Sequence, residues 1–272
     1  MAKILINDKN IYYEVHGEGE PLIILNGIMM STTSWQGFVD VLAENNKLIL
    51  LDFIDQGQSD KSHIDYNQDI HVETLVGLLD YLDINKVHMV GISYGGEVAM
   101  KFSLKYQERL NSLTLANTTS YTNHNLKDIG KSWINAAKTC NGSNFFKTTI
   151  PVIYSTEFYE ENIEWLRKRE ELFRQAFTKE WYEGFIRLTL SAEDLNVTEE
   201  LENIKVPTLI IGSEEDIITP IKYQQKIHDK IKDSRFAVIK EAGHASMYEK
   251  PYEFLALVLG FIKVYNKEIK IS

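Results

Sequence analysis

Short apolar runs alternate with amphipathic stretches along the first third of the chain. Lys3–Asn7 and Ile11–His16 read as strands on either side of the Asp8–Asn10 turn. Leu22–Leu25 is an apolar run closed by Asn26-Gly27, the pattern of a buried strand that enters a turn. Thr33–Ala43 puts Trp35, Phe38, Val39 and Leu42 on one helical face. Leu48–Leu51 is a second buried strand, ended by Asp52. The spacing then predicts a helix over Ile70–Leu82, a strand over Val87–Val90 ended by Gly91, a helix over Tyr94–Tyr106 and a strand over Leu113–Ala116. Strands that alternate with helices need crossover connections, so this order predicts an α/β fold with a mostly parallel sheet.

The pattern changes after Thr118. Residues 118–205 keep helical periodicity and contain no convincing strand; Leu166, Phe173 and Phe177 share one stripe, flanked by Trp165, Leu172 and Ala176. The strand–helix alternation resumes with a strand over Val206–Gly212 and a helix over Pro220–Ile231 that has proline at its start. A strand over Phe236–Ile239 follows. A closing helix over Pro251–Tyr265 has Phe254, Leu257, Val258 and Phe261 as its apolar face. The organisation is therefore an α/β core, residues 1–117 and 206–272, interrupted once by a helical segment, residues 118–205.

Composition narrows the function classes. The chain has 272 residues, with 29 Lys and Arg against 39 Asp and Glu, a formal net charge of −10. Nucleic-acid binding needs a basic face, and no Lys/Arg cluster supplies one. From Glu157 to Glu202 thirteen acids face six bases, so −7 of the −10 lies there, which reads as the solvated outer face of the helical segment. One cysteine, Cys140, excludes an internal disulfide framework and a thiolate-rich metal site. Residues 1–16 scatter charges where a signal peptide would be apolar, and no run is long enough to span a bilayer. The expectation is a soluble, cytoplasmic protein with no membrane or nucleic-acid partner.

Gly91-Ile92-Ser93-Tyr94-Gly95-Gly96 carries the chemistry. It contains G-x-S-x-G between a predicted strand and a predicted amphipathic helix, the setting of a nucleophile elbow. So tight a turn needs glycine beside the serine, and it exposes the hydroxyl at the carboxyl end of a strand. A serine hydroxyl needs a base. His244, in Ala242-Gly243-His244, follows a strand in a glycine-containing loop; His16, His63, His71, His88, His124 and His228 have weaker settings. The base needs an orienting carboxylate. Asp216 ends a strand and precedes a helix, which gives the order Ser93, Asp216, His244; Glu215 beside it is the alternative. The backbone N–H groups of Tyr94 and of Ile28, in the loop after Leu22–Leu25, are the candidate oxyanion donors.

These motifs resemble the cap-bearing α/β-hydrolase-fold superfamily, which includes esterases, cofactor-free haloperoxidase-like enzymes and carbon–carbon bond hydrolases. Ser93 in G-x-S-x-G-G, Asp216 four before Pro220, Ala242-Gly243-His244, and Asp52 followed by Gly57-Gln58-Ser59 carry the resemblance over nearly the whole chain. It implies an eight-stranded, mostly parallel sheet flanked by helices, with residues 118–205 as a cap over the active site. It also implies a serine hydrolase without metal or organic cofactor, acting on a small or medium apolar carboxylic ester or thioester, as a monomer or homodimer. A carbon–carbon hydrolase, a lyase, an acyltransferase and a ligand sensor with slow turnover are the alternatives that the same site allows. Trp133, Phe145, Phe146 and Trp181 are the candidate walls of an apolar pocket. Two departures stand out: Asn26-Gly27 replaces the family's His-Gly in the oxyanion loop, and Ile54-Asp55 replaces an Arg-Gly pair after Asp52.

Overall fold

The computed structural model describes residues 2–267 of the chain. Its centre is an eight-stranded sheet: β1 (Ala2–Ile6), β2 (Lys9–His16), β3 (Glu20–Leu25), β4 (Asn46–Leu51), β5 (Val87–Ile92), β6 (Leu110–Ala116), β7 (Thr208–Ser213) and β8 (Ser234–Ile239). The order across the sheet is β1-β2-β4-β3-β5-β6-β7-β8. The β1–β2 and β2–β4 pairs are antiparallel, and all other neighbours are parallel. β5 and β6 are buried almost throughout, as central parallel strands covered on both faces should be. β5 extends past Gly91 to Ile92 because its register with β6 continues to the Ile92–Ala116 pair.

The first predicted helix is replaced by something tighter. Thr32–Phe38 winds as 3₁₀ turns and only α1 (Val39–Leu42) is α-helical. Tertiary anchors explain the tightening. The Thr32 N–H donates to Asp52 Oδ1 at 2.7 Å, and Trp35 Nε1 donates to Asn26 Oδ1 at 2.9 Å, so the start and the middle of the segment are drawn onto the sheet. α2 (Asp69–Tyr81) and α3 (Tyr94–Tyr106) lie as the spacing predicts, as do α9 (Ile221–Lys230), which starts after Pro220, and α11 (Pro251–Val264), which is preceded by the single turn α10 (Ser246–Glu249).

Five helices lie between β6 and β7: α4 (His124–Lys138), α5 (Gly142–Thr149), α6 (Thr156–Glu161), α7 (Ile163–Ala176) and α8 (Lys179–Ser191). Side-chain oxygens of Asn123, Asn141, Ser155 and Thr178 accept an N–H at the starts of α4, α5, α6 and α8. The insert has its own aromatic interior. Phe145 packs edge-on against Phe185 with centroids 4.9 Å apart, and Phe146 packs against Phe173 at 5.4 Å. Phe177, predicted to continue the α7 stripe, instead ends that helix and stacks on Trp181 at 3.6 Å.

The insert is fixed to the core by polar ties. Asp55, one of the departures from the family pattern, is buried at φ 73° and takes a two-pronged ion pair from Arg187 of α8, at 2.7 and 3.0 Å. The Ser62 N–H and the Tyr66 hydroxyl supply two further bonds to its carboxylate. The Tyr94 hydroxyl lies 2.7 Å from Ser191 Oγ.

Removing one member of a buried pair leaves the other charge without compensation. Arg187→Met is therefore expected to cost about 3–5 kcal/mol in urea unfolding, and Asp55→Asn in the same background to recover part of it. A loss below about 1 kcal/mol, the value typical of exposed pairs, would contradict the assignment of this contact as a structural lock.

Candidate active site

Ser93 sits between β5 and α3 at φ 51° and ψ −117°, a conformation that L-residues rarely adopt. The glycines around it make the turn feasible. A Cβ on Gly91 would lie 2.5 Å from the Gly95 carbonyl oxygen, one on Gly95 would run into the Leu25 carbonyl of β3, and one on Gly96 would lie 2.7 Å from the Thr118 side chain. The Ser93 N–H donates to Ala116 O at 2.9 Å, and Thr118 Oγ1 donates to Ser93 O at 2.8 Å. The strained residue is thus bonded on both sides to β6 and the loop after it.

The structure brings Ser93, His244 and Asp216 into one hydrogen-bonded chain. Ser93 Oγ is 2.8 Å from His244 Nε2, and His244 Nδ1 is 2.9 Å from Asp216 Oδ2. A carboxylate only accepts, so it selects the tautomer with the proton on Nδ1 and leaves Nε2 free to accept from the serine. Asp216 is buried, whereas Glu214 and Glu215 beside it are exposed. Its Oδ1 accepts from the N–H groups of Ile218 and Thr219, at 2.9 and 2.8 Å. Its Oδ2 also accepts from Thr219 Oγ1 at 2.8 Å and from Asn117 Nδ2 at 3.0 Å. Burial pushes this carboxyl up, but the charge and bond of His244, with the Asn117 and Thr219 donors, outweigh it and hold it down at about 2. Asn117 is a site residue that sequence reasoning did not single out. It stands at the carboxyl end of β6 with φ 46°, and its Oδ1 accepts from Ser246 Oγ at 2.8 Å, so it ties Asp216 to the His244 loop.

Asn26 and Gln56 hold the loop opposite Ser93. Asn26 Nδ2 donates to Leu51 O at 2.7 Å while its Oδ1 takes the Trp35 indole N–H. Gln56 Nε2 donates to Gly27 O at 2.9 Å. The amide in place of the family's histidine therefore bonds the β3 loop to β4 through Nδ2 and to the 3₁₀ segment through Oδ1. Among the described residues neither the Ile28 nor the Tyr94 N–H donates to another protein group, and both residues line the cavity that contains Ser93.

That cavity has a volume of about 180 Å³ and lies between the core and the helical insert. Its wall is largely apolar, with Met29, Met30, Trp133, Ile150, Ile153 and Phe173 among its residues. Of the four aromatics expected there, Trp133 lines it. Phe145, Phe146 and Trp181 do not: Phe145 and Phe146 are fully buried, and Trp181 is stacked between Phe177 and Phe185. The physical reason is that the helices of the insert must bury their own apolar faces, and these three side chains fill that interior rather than the cavity. The wall is supplied instead by residues whose spacing carried no distinctive signal, notably Ile150, Ile153 and Tyr154. The backbone of this last segment touches the site: the His244 N–H donates to Ile153 O at 2.7 Å, and Glu249 bonds the N–H groups of both Gly243 and Ser155. Among the described residues no cluster of three or more His, Cys, Asp or Glu side chains could hold a metal ion.

A family model described as alpha/beta hydrolase fold matches residues 20–251. Among solved structures, the chain is similar to MGS-M2, an alpha/beta hydrolase enzyme from a Medee basin deep-sea metagenome library, at 43% identity and a TM-score of 0.96, with 99% of this chain and 100% of that one covered. The 2-hydroxy-6-oxo-6-phenylhexa-2,4-dienoate hydrolase of Comamonas testosteroni is 27% identical over 95% of this chain and 93% of its own. The 3-oxoadipate enol-lactonase 1 of Acinetobacter baylyi is 27% identical over 94% of each.

The low Asp216 value has a measurable consequence. Its folded value of about 2 lies below the ordinary 3.8, so the unfolded chain binds more protons between them. The stability it contributes is present above the unfolded value and is lost as pH falls through the folded one. The stability difference between wild type and Asp216→Asn, from urea unfolding, should be constant near neutrality and shrink from about pH 4 toward pH 2. A difference that is flat over that window would contradict the assigned environment.

Proposed function

This chain belongs to the alpha/beta hydrolase fold family, and on that premise we propose that it is a serine hydrolase that cleaves a small or medium, largely apolar carboxylic ester or thioester. The observation that carries the reading is the chain from buried Asp216 through His244 to Ser93, which opens into a mostly apolar cavity beside two uncommitted backbone N–H groups. In this reading Ser93 Oγ attacks the substrate carbonyl carbon and its proton passes to His244 Nε2. The carbonyl oxygen, now an anion, is held by the N–H groups of Ile28 and Tyr94. The carbon–oxygen or carbon–sulfur bond to the leaving group breaks, and His244 returns the proton to that group. An acyl-serine remains. Water then attacks it, its proton passes to His244, and release of the carboxylic acid restores the Ser93 hydroxyl. Asp216 stays ionised throughout and supports the imidazolium form of His244.

The helical insert acts as a cap in this account. It supplies Trp133, Ile150, Ile153 and Phe173 to the cavity wall, so it sets the shape of the acyl or leaving group that fits. A cavity of about 180 Å³ favours short chains over long ones.

Turnover of p-nitrophenyl esters from acetate to laurate tests the proposal. The expected profile peaks at a short or medium chain. Ser93→Ala should lower kcat by roughly 1,000-fold or more with an unchanged unfolding midpoint, since removal of a nucleophile leaves only binding and oxyanion stabilisation. A variant that retains activity within about threefold of wild type would sink the nucleophile assignment.

A further inference from the structure

One cation in the cavity wall is not used by the catalytic reading. Arg169 of α7 lines the same cavity as Ser93 and His244. Two other cations of the wall have carboxylate partners: Lys127 reaches Asp194 at 3.4 Å, and Lys131 reaches Asp128 at 3.3 Å. Arg169 forms no ion pair among the described residues, and its Nε is buried there without a hydrogen-bond partner. A buried guanidinium N–H with no acceptor is costly and calls for one.

Arg169 is held as if for a planar ligand. Its guanidinium carbon lies 4.8 Å from the centroid of the Trp165 ring. Trp165 in turn packs edge-on against Tyr154 and Phe158, each 6.0 Å away, and those two rings stack on each other at 5.0 Å. A guanidinium that rests on an aromatic ring keeps its N–H edge available for in-plane bonding, and that edge matches the two oxygens of a carboxylate. Its place in the cavity follows from its neighbours. Burial pushes the phenols of Tyr154 and Tyr248 up, and the adjacent Arg169 charge pulls both the other way. Tyr154 follows Ile153, whose carbonyl accepts the His244 N–H, and Tyr248 lies four residues beyond His244. The guanidinium, on Trp165, which packs on Tyr154, therefore belongs to the part of the wall formed with Tyr154 and Tyr248. Of the acids in the wall, Glu97 is buried and accepts from Gln68 Nε2 at 2.6 Å, and Glu193 is half-buried after the end of α8.

We propose that Arg169 is a specificity-determining residue and that the substrate is an ester whose otherwise apolar chain ends in a carboxylate, bound by the Arg169 guanidinium while the ester carbonyl lies at Ser93. This rests on the serine-hydrolase reading and names the substrate class of the same site. Selection comes from both directions: the carboxylate gains a partner, and a neutral substrate leaves the buried Arg169 Nε–H unpaired.

Monomethyl esters of succinate, glutarate and adipate, compared with methyl butyrate, valerate and hexanoate, test this by methanol release. Wild type should favour the best hemiester over its neutral counterpart by at least about tenfold in kcat/KM, mainly through KM. Arg169→Gln should lose that preference through slower hydrolysis of the hemiesters and equal or faster hydrolysis of the neutral esters, and Arg169→Lys should recover part of it. Neutral esters hydrolysed through Ser93 with no hemiester preference, or a preference that survives Arg169→Gln, would overturn the Arg169 proposal and leave the hydrolase reading standing. If wild type turns over neither series, calorimetry with the same compounds decides. Saturable binding of a hemiester but not of its neutral counterpart, lost in Arg169→Gln, supports the carboxylate site although the ester-hydrolase reading has failed. No selective binding overturns it.

Discussion

Everything at the site depends on the backbone of Ser93 being held at φ 51° and ψ −117°. Such a conformation costs of order 1–3 kcal/mol and persists only where the surroundings over-determine it. Here they do. β5 delivers the serine from the middle of a buried parallel sheet, the Ser93 N–H is bonded to β6, and its carbonyl is bonded to Thr118. Three glycines remove the side chains that would keep β3, the loop after β6 and the start of α3 from closing around it. The position of His244 and of the Ile28 loop has meaning only relative to this fixed point. Because the same turn begins α3, it also leaves the Tyr94 N–H without a helical partner and beside the hydroxyl.

The parts of the molecule that were legible in the sequence are those governed by local rules. Buried parallel strands read as short apolar runs, and the elbow reads as glycines at fixed offsets. The Ser93, Asp216, His244 order placed three residues on separate strand ends that the fold brings within hydrogen-bond distance. The choice between Asp216 and Glu215 was not local: it follows from burial and from donors on Asn117 and Thr219, which no spacing reveals. The short 3₁₀ segment in place of the first helix has the same origin, since Thr32 and Trp35 are held by Asp52 and Asn26, distant in sequence. The cavity wall was the least legible part. A large aromatic on an amphipathic helix packs equally well into the interior of the insert or into the cavity, and Phe145, Phe146 and Trp181 take the interior.

The two departures from the family pattern have physical roles once the contacts are known. Asn26 bridges Trp35 and Leu51 and, with Gln56, holds the Gly27-Ile28 turn in place. Asp55 joins the loop after β4 to α8 through Arg187, so the insert is braced on the core at α8. Between α5 and α6, Ile153 and Ser155 hold it directly against the His244 loop, Ser155 through Glu249. An insert fixed at both places offers a wall of defined shape, which the role proposed for Arg169 requires.

The central claim is that Ser93 is an activated nucleophile because His244 and Asp216 are aligned behind it. Labelling of the folded protein with a fluorophosphonate, followed by peptide mass spectrometry, tests it most directly. The expected result is one equivalent of label, located on Ser93, and loss of labelling in His244→Ala. A folded wild type that stays unlabelled, or label on another residue at equal rate in both proteins, would contradict it.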